Sequence, residues 1–214
     1  MTSDCTNNIS ENKEFVLDSV EDLENKLSEN PDSANLRYNL ALALVRSKQW
    51  DRAESEFRAA LKLKPGMLEA RVNIAGMLLQ KGNYDGCIEE SLKALEFRPD
   101  LVEACVNIGI AFSQKGMLDQ AEKSFEKALA IDPNSVISHL NLGNIYLVSG
   151  DLEKAIEHNL RAVQLKPEFG MAHNNLAVAY FQSNQIEEAK RHAQEAQKRG
   201  YPVNPEFLKK LEQQ

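Results

Sequence analysis

Apolar residues recur along this chain at three- and four-residue steps, as in Leu40 and Leu44 or Phe57 and Leu61. That spacing predicts amphipathic helices, each with one face to bury. The stretches are short and punctuated. Gly82, Gly116, Gly150 and Asn184 follow four of them, and these residues tolerate the left-handed conformation that ends a helix. Lys48 holds that place after the first stretch and departs from the pattern. Prolines stand at 31, 65, 99, 133 and 167, with 34 residues in each step. Behind them come Asp32, Gly66, Asp100 and Asn134, which are expected to cap the next helix, with Glu168 weaker there. The pattern is a pair of helices repeated every 34 residues.

The repeat can be read residue by residue. Tyr38-Asn39-Leu40-Ala41, Val72-Asn73-Ile74-Ala75, Val106-Asn107-Ile108-Gly109, Leu140-Asn141-Leu142-Gly143 and Asn174-Asn175-Leu176-Ala177 superimpose. Small residues then recur at Ala53, Cys87, Ala121, Ala155 and Ala189, and again at Ala60, Ala94, Ala128, Ala162 and Ala196. Small side chains there let paired helices approach closely. Numbered from Ala34, Leu68, Val102, Val136 and Gly170, five units fill 34–67, 68–101, 102–135, 136–169 and 170–203.

This pattern resembles the tetratricopeptide repeat (TPR) family. That family has small residues at positions 8, 20 and 27 of each unit, apolar residues at 7, 11, 17 and 24, and proline at 32. Ser91 and Asn159 replace the usual aromatic residue at position 24, and Tyr201 replaces the last proline. The resemblance implies an all-α fold, a right-handed α-solenoid of five tandem helix-turn-helix units. Helical caps are expected at both ends, because the end units of a stack lack a neighbour. Residues 1–12 read as a disordered acidic tail. Residues 13–33 read as an N-terminal capping helix with Val16, Val20, Leu23 and Leu27 on one face. Residues 204–214 read as a C-terminal capping helix, with Asn204 as N-cap, Pro205 at N1, and Phe207, Leu208 and Leu211 as its buried face. Both ends read as finished.

Charge and candidate chemistry narrow the function. The 25 Lys and Arg face 32 Asp and Glu, for a net charge of −7. Residues 1–33 hold nine acids and two bases and so carry all of it. No nucleic-acid partner is expected, because the units lack a basic surface. No membrane insertion is expected either, since no apolar run approaches the length of a spanning helix. Cys5, Cys87 and Cys105 form neither an even disulfide set nor a CxxC pair, and no secretory leader is visible, so the expected location is cytoplasmic. The sequon Asn8-Ile9-Ser10 has no meaning without secretion. No phosphate loop, dinucleotide glycine pattern, nucleophile elbow or HExxH motif occurs, so no enzyme activity and no cofactor are expected. His139 and His173 share position 4, and His158 and His192 share position 23. Without further ligands at metal spacing these are expected to be diverged copies rather than a metal site.

One feature exceeds what stacking needs. Asn39, Asn73, Asn107, Asn141 and Asn175 occupy position 6 of all five units, although asparagine is only 18 of 214 residues and a mediocre helix former. In the resembled family this position faces the concave groove, and a similar ladder lines the TPR superhelix of the O-linked N-acetylglucosamine transferases. An amide can donate to a peptide carbonyl and accept from its N–H. The competing reading is local hydrogen bonding within the array. Family geometry adds Tyr38, Val72, Val106, Ile110, Leu140, Asn144 and Phe181 to the groove. Helices pack about 8–10 Å apart and an extended peptide advances about 3.3 Å per residue, so one rung meets every third residue. The expected partner is an extended, weakly charged protein or peptide segment in that groove. The alternatives are a self-assembling scaffold, which would be a homo-oligomer, and a targeting subunit of a separately encoded enzyme.

Overall fold

The computed structural model describes residues 18–213, and among them it places twelve α-helices and no strand. The tail expected over 1–12, residues 13–17 of the expected capping helix, Cys5 and the sequon at Asn8 lie outside the described residues. The chain divides into two compact units, one running to Pro65 and one from Gly66.

The first unit contains α1 (Val20–Glu29), α2 (Ala34–Arg46) and α3 (Trp50–Leu63). Ser19 starts α1. It is extended at ψ 167°, its Oγ accepts from the Asp22 N–H, and the Asp22 carboxylate accepts from the Ser19 N–H. This reciprocal box sets the helix start, because Ser19 leaves the helical backbone to form it. The described part of the capping helix is therefore Val20–Glu29, with Leu23 as its buried residue, packed on α2. Between α2 and α3, Lys48 takes a left-handed φ of 59°. The departure seen in the sequence is one of residue type only, since the backbone still turns where glycine stands elsewhere.

The second unit contains α4 (Leu68–Gln80), α5 (Tyr84–Phe97), α6 (Val102–Gln114), α7 (Leu118–Ile131), α8 (Val136–Ser149), α9 (Leu152–Leu165), α10 (Gly170–Gln182), α11 (Ile186–Lys198) and α12 (Pro205–Glu212). Short turns join α4 to α5, α6 to α7, α8 to α9 and α10 to α11, so each pair is an antiparallel hairpin. Hairpins stack in order, α5 on α6, α7 on α8 and α9 on α10. This is the all-α tandem helix-turn-helix fold expected from the repeat.

Two details explain the close approach within hairpins. A Cβ at Gly109 would lie 2.7 Å from the Phe125 ring, and one at Gly143 would lie 2.2 Å from the Asn159 amide. Positions 8 and 24 are thus complementary, and the smallest residue faces a larger one. Burial of Phe57 and Phe125, both fully enclosed, follows from the same arrangement in the first and third repeats.

The expected caps are displaced by one residue. Pro and its successor form a two-residue turn, so Ser33, Met67, Leu101, Ser135 and Phe169 are the N-caps in place of Asp32, Gly66, Asp100, Asn134 and Glu168. Ser33 and Ser135 accept backbone N–H groups, whereas Met67, Leu101 and Phe169 make no side-chain cap bond. Met67 and Leu101 are buried, so apolar packing takes precedence over capping at those positions. At the C-terminal end Asn204 caps α12 as expected, its Oδ1 accepting from Glu206 N at 2.8 Å and Phe207 N at 3.4 Å. Leu211 packs with Ala177, Ala189 and Ala193.

Candidate peptide-binding surface

The ladder asparagines lie on the first helix of each hairpin, one helical step before a buried Leu or Ile. That placement puts them at the margin of the packed stripe. Asn39 is exposed, Asn73, Asn107 and Asn141 are half-buried, and Asn175 is buried. The Asn73 and Asn141 amides each donate to a carbonyl one turn earlier, Glu69 O and Ile137 O, both at 2.8 Å. Such a bond uses one N–H of the amide. Asn175 instead donates to Oδ1 of Asn159 at 3.3 Å, and Asn159 donates in turn to Ala155 O at 2.8 Å. The ladder is therefore graded, with its last rung buried and bonded across to the preceding hairpin.

The apolar residues placed in the groove by resemblance divide. Val72 packs with Ala94, Leu101 and Ala104, and Leu140 packs with Ala162 and Ala172. Val106 and Ile110 join the cluster around Phe125. Phe181 meets Phe207 of the closing helix edge-on, with ring centroids 5.4 Å apart. Tyr38 tilts against Phe57 at 5.5 Å. Asn144 is exposed. Asn39 borders a small recess of about 170 Å³ with Asp18, Leu23, Leu42 and Arg46.

A second set of positions emerged only from the structure. In the first, second, fourth and fifth hairpins the residue at position 4 reaches the residue at position 23, 19 residues on. Arg37 pairs with Glu56 at 2.9 Å and Arg71 with Glu90 at 3.1 Å. His139 and His158 join through their Nδ1 atoms at 3.0 Å, and His173 and His192 do so at 2.9 Å. Position 4 also holds the preceding turn: Arg37 donates to Pro31 O, His139 Nε2 to Pro133 O and His173 Nε2 to Pro167 O. Tyr146 and Tyr180 stack on the second histidine of each pair. The four histidines noticed in the sequence are thus one version of a pair that is Arg–Glu elsewhere. The 19-residue spacing of opposite charges was the signal that could have found it.

The electrostatics follow from packing. Burial pushes the His158, His173 and His192 pKa values down, His192 to about 4, with neighbouring cations adding to the effect in all three and the partner histidine adding to it for His158 and His192. Burial pushes the Cys87 thiol up to about 11 and raises Cys105 as well, so both free thiols are held protonated. Among the described residues no group of three or more His, Cys, Asp or Glu could hold a metal ion. No helix among them is long and apolar enough to cross a membrane.

Helix hairpins of one length, stacked with small residues at fixed contacts, define a repeat scaffold of the kind that offers surfaces to other proteins. Tetratricopeptide repeat models match residues 17–67, 38–101, 102–135, 124–157, 143–184 and 172–199, and the chain belongs to the tetratricopeptide repeat family. No curated protein sequence matches it. Among solved structures it is similar to YrrB, a TPR protein with an unusual peptide-binding site, at 17% identity and TM-score 0.69, covering 92% of this chain and 100% of that one. It is also similar to PilW, a type IV pilus biogenesis factor, at 24% identity and TM-score 0.71, covering 82% and 81%. Pseudomonas aeruginosa pilF aligns at 19% identity and TM-score 0.78, covering 91% and 88%. Membership of this family supports a protein-interaction role, and TPR arrays are generally non-catalytic scaffolds.

Proposed function

We propose that this chain is a non-catalytic adaptor that holds an extended, weakly charged polypeptide against its asparagine ladder. The observation that carries this reading is the ladder itself. An asparagine stands at the same position of every hairpin, and Asn73, Asn107 and Asn141 stay half-exposed in one compact unit while their apolar neighbours are packed. Amide rungs contact backbone, which every peptide has, so sequence preference would come from the side chains between rungs. Each amide bond nets about 0.5–1.5 kcal/mol, against several kcal/mol for ordering a flexible segment, which sets single-peptide affinity near the micromolar range. The similar structure YrrB is described as having a peptide-binding site, which agrees with this use of the fold. Two buried free thiols suit a reducing compartment, and we assign the adaptor to the cytoplasm.

The test is affinity capture with the wild type and the triple variant N73A/N107A/N141A, read by mass spectrometry alongside thermal melting. Loss of captured partners with an unchanged melting point supports the ladder. Unchanged capture by a folded triple variant rejects it and leaves Asn73 and Asn141 their bonds to the preceding turn.

A further inference from the structure

The third repeat breaks the rule at positions 4 and 23. Where the other hairpins carry Arg–Glu or His–His, it carries Cys105 and Ser124. Neither is long enough to bridge the helices, and the Ser124 hydroxyl turns back to donate to Gln120 O. A hollow of about 280 Å³ has Cys105 and Ser124 in its lining. Leu92, Leu95, Ile108 and Phe112 supply apolar walls, and Leu92 is 50% exposed. Lys123 and Lys127, one turn apart on α7, border it. Among the described residues neither lysine forms an ion pair. No ladder asparagine lines this hollow.

A hollow of this kind fits a bulky apolar side chain whose flanks carry carboxylates. The chain contains one such stretch outside the described residues: Glu11-Asn12-Lys13-Glu14-Phe15-Val16-Leu17. It belongs to the acidic first 33 residues, which hold the whole net charge, while the remainder sums to zero. We propose that residues 11–17 of one copy dock into the Cys105–Ser124 hollow of a second copy, with Phe15 as anchor and Glu11 and Glu14 toward Lys123 and Lys127. Each copy then offers one segment and one hollow, a head-to-tail arrangement that links copies in series or closes a ring. The contact is small, so association is concentration-dependent and weak.

The repeat itself supplies the variant that tests this. Cys105→Arg with Ser124→Glu installs the pair of the first two hairpins and puts two long charged side chains where Cys105 and Ser124 line the hollow. A full-length copy carrying this double change and benzoylphenylalanine in place of Phe15 is mixed with a differently tagged full-length wild type and irradiated. A cross-linked heterodimer mapping to Leu92–Lys127 of the wild-type partner is expected. It should disappear when the partner carries the double change, and weaken when the partner carries Lys123→Glu with Lys127→Glu, surface substitutions that leave the core intact. Cross-links confined to one copy, no cross-link at all, or a heterodimer that persists with the folded, doubly changed partner would overturn the proposal. None of these outcomes depends on the ladder.

Discussion

Acid should loosen the last hairpin of the array before it touches the carboxylates. His173 and His192 are almost fully buried, and their ring nitrogens are all committed. His173 Nε2–H donates to Pro167 O at 3.2 Å, so its Nδ1 must accept, and His192 Nδ1–H must donate to it at 2.9 Å. His192 Nε2 then accepts from Arg191 Nη2 at 3.0 Å. A proton added at either of these accepting lone pairs sets one N–H against another. The folded His192 titrates near 4 rather than the ordinary 6.5, mainly through burial, then through Arg191 and His173, with Glu188 and Glu195 opposing. A base with a lowered folded pKa binds fewer protons than the unfolded chain between the two values. Its stability is therefore intact above about pH 6.5 and is lost as pH falls toward about 4. At about 1.4 kcal/mol per pKa unit, the loss reaches about 2–3 kcal/mol at pH 4.5, with His158 and His173 acting in the same direction. Glu195, held down to about 2 by Lys198 and Arg199, acts only below its ordinary 4.5, so the two windows separate. Urea titrations at pH 7.5 and 4.5, with hydrogen exchange followed over α10 and α11, measure the effect. The comparison is His173→Arg with His192→Glu, which replaces the pair by that of the first hairpin. Equal losses in wild type and this variant over that range would refute the reasoning.

Four further outcomes are expected. Lys48→Gly relieves a left-handed non-glycine residue and should stabilise the first unit by about 0.5–1 kcal/mol in thermal melts. Gly109→Ala drives a methyl into the buried Phe125 ring and should cost about 1–3 kcal/mol in urea unfolding. Leu211→Ala empties the contact that seats α12 on Ala177, Ala189 and Ala193, at a cost of about 2–5 kcal/mol, with faster exchange in α11. Cys87 and Cys105 should resist alkylation at pH 8 in the folded chain and react promptly in urea, because both are buried and protonated; labelling followed by mass spectrometry reads this directly.

The helix pairs were legible because a 34-residue period registers them five times over. What escaped the sequence had local physical causes. The caps moved because a proline turn takes two residues, which gives Met67 and Leu101 a buried place that outweighs a polar cap. The start of α1 escaped because Val16 continues the apolar spacing across Ser19, where the capping box sets the first turn of α1. Among candidate groove residues, spacing could not separate Asn144, which is exposed, from Leu140, which is buried against Ala162 and Ala172. The pairs at positions 4 and 23 escaped because histidine suggested metal chemistry, and the equivalence with Arg–Glu shows only when both sets are seen bridging the same two helices.

Those pairs also constrain how such a gene can be rearranged. The first, second, fourth and fifth hairpins each carry both halves of their own match, so duplicating or transplanting one of them whole moves a working pair intact. A crossover inside a hairpin would join the first helix of one kind to the second helix of another and set Arg71 chemistry against His158 chemistry, two bases facing each other in a confined space. The heritable module of this array is therefore the hairpin as a block, and chimaeras built for engineering should be joined at the proline turns.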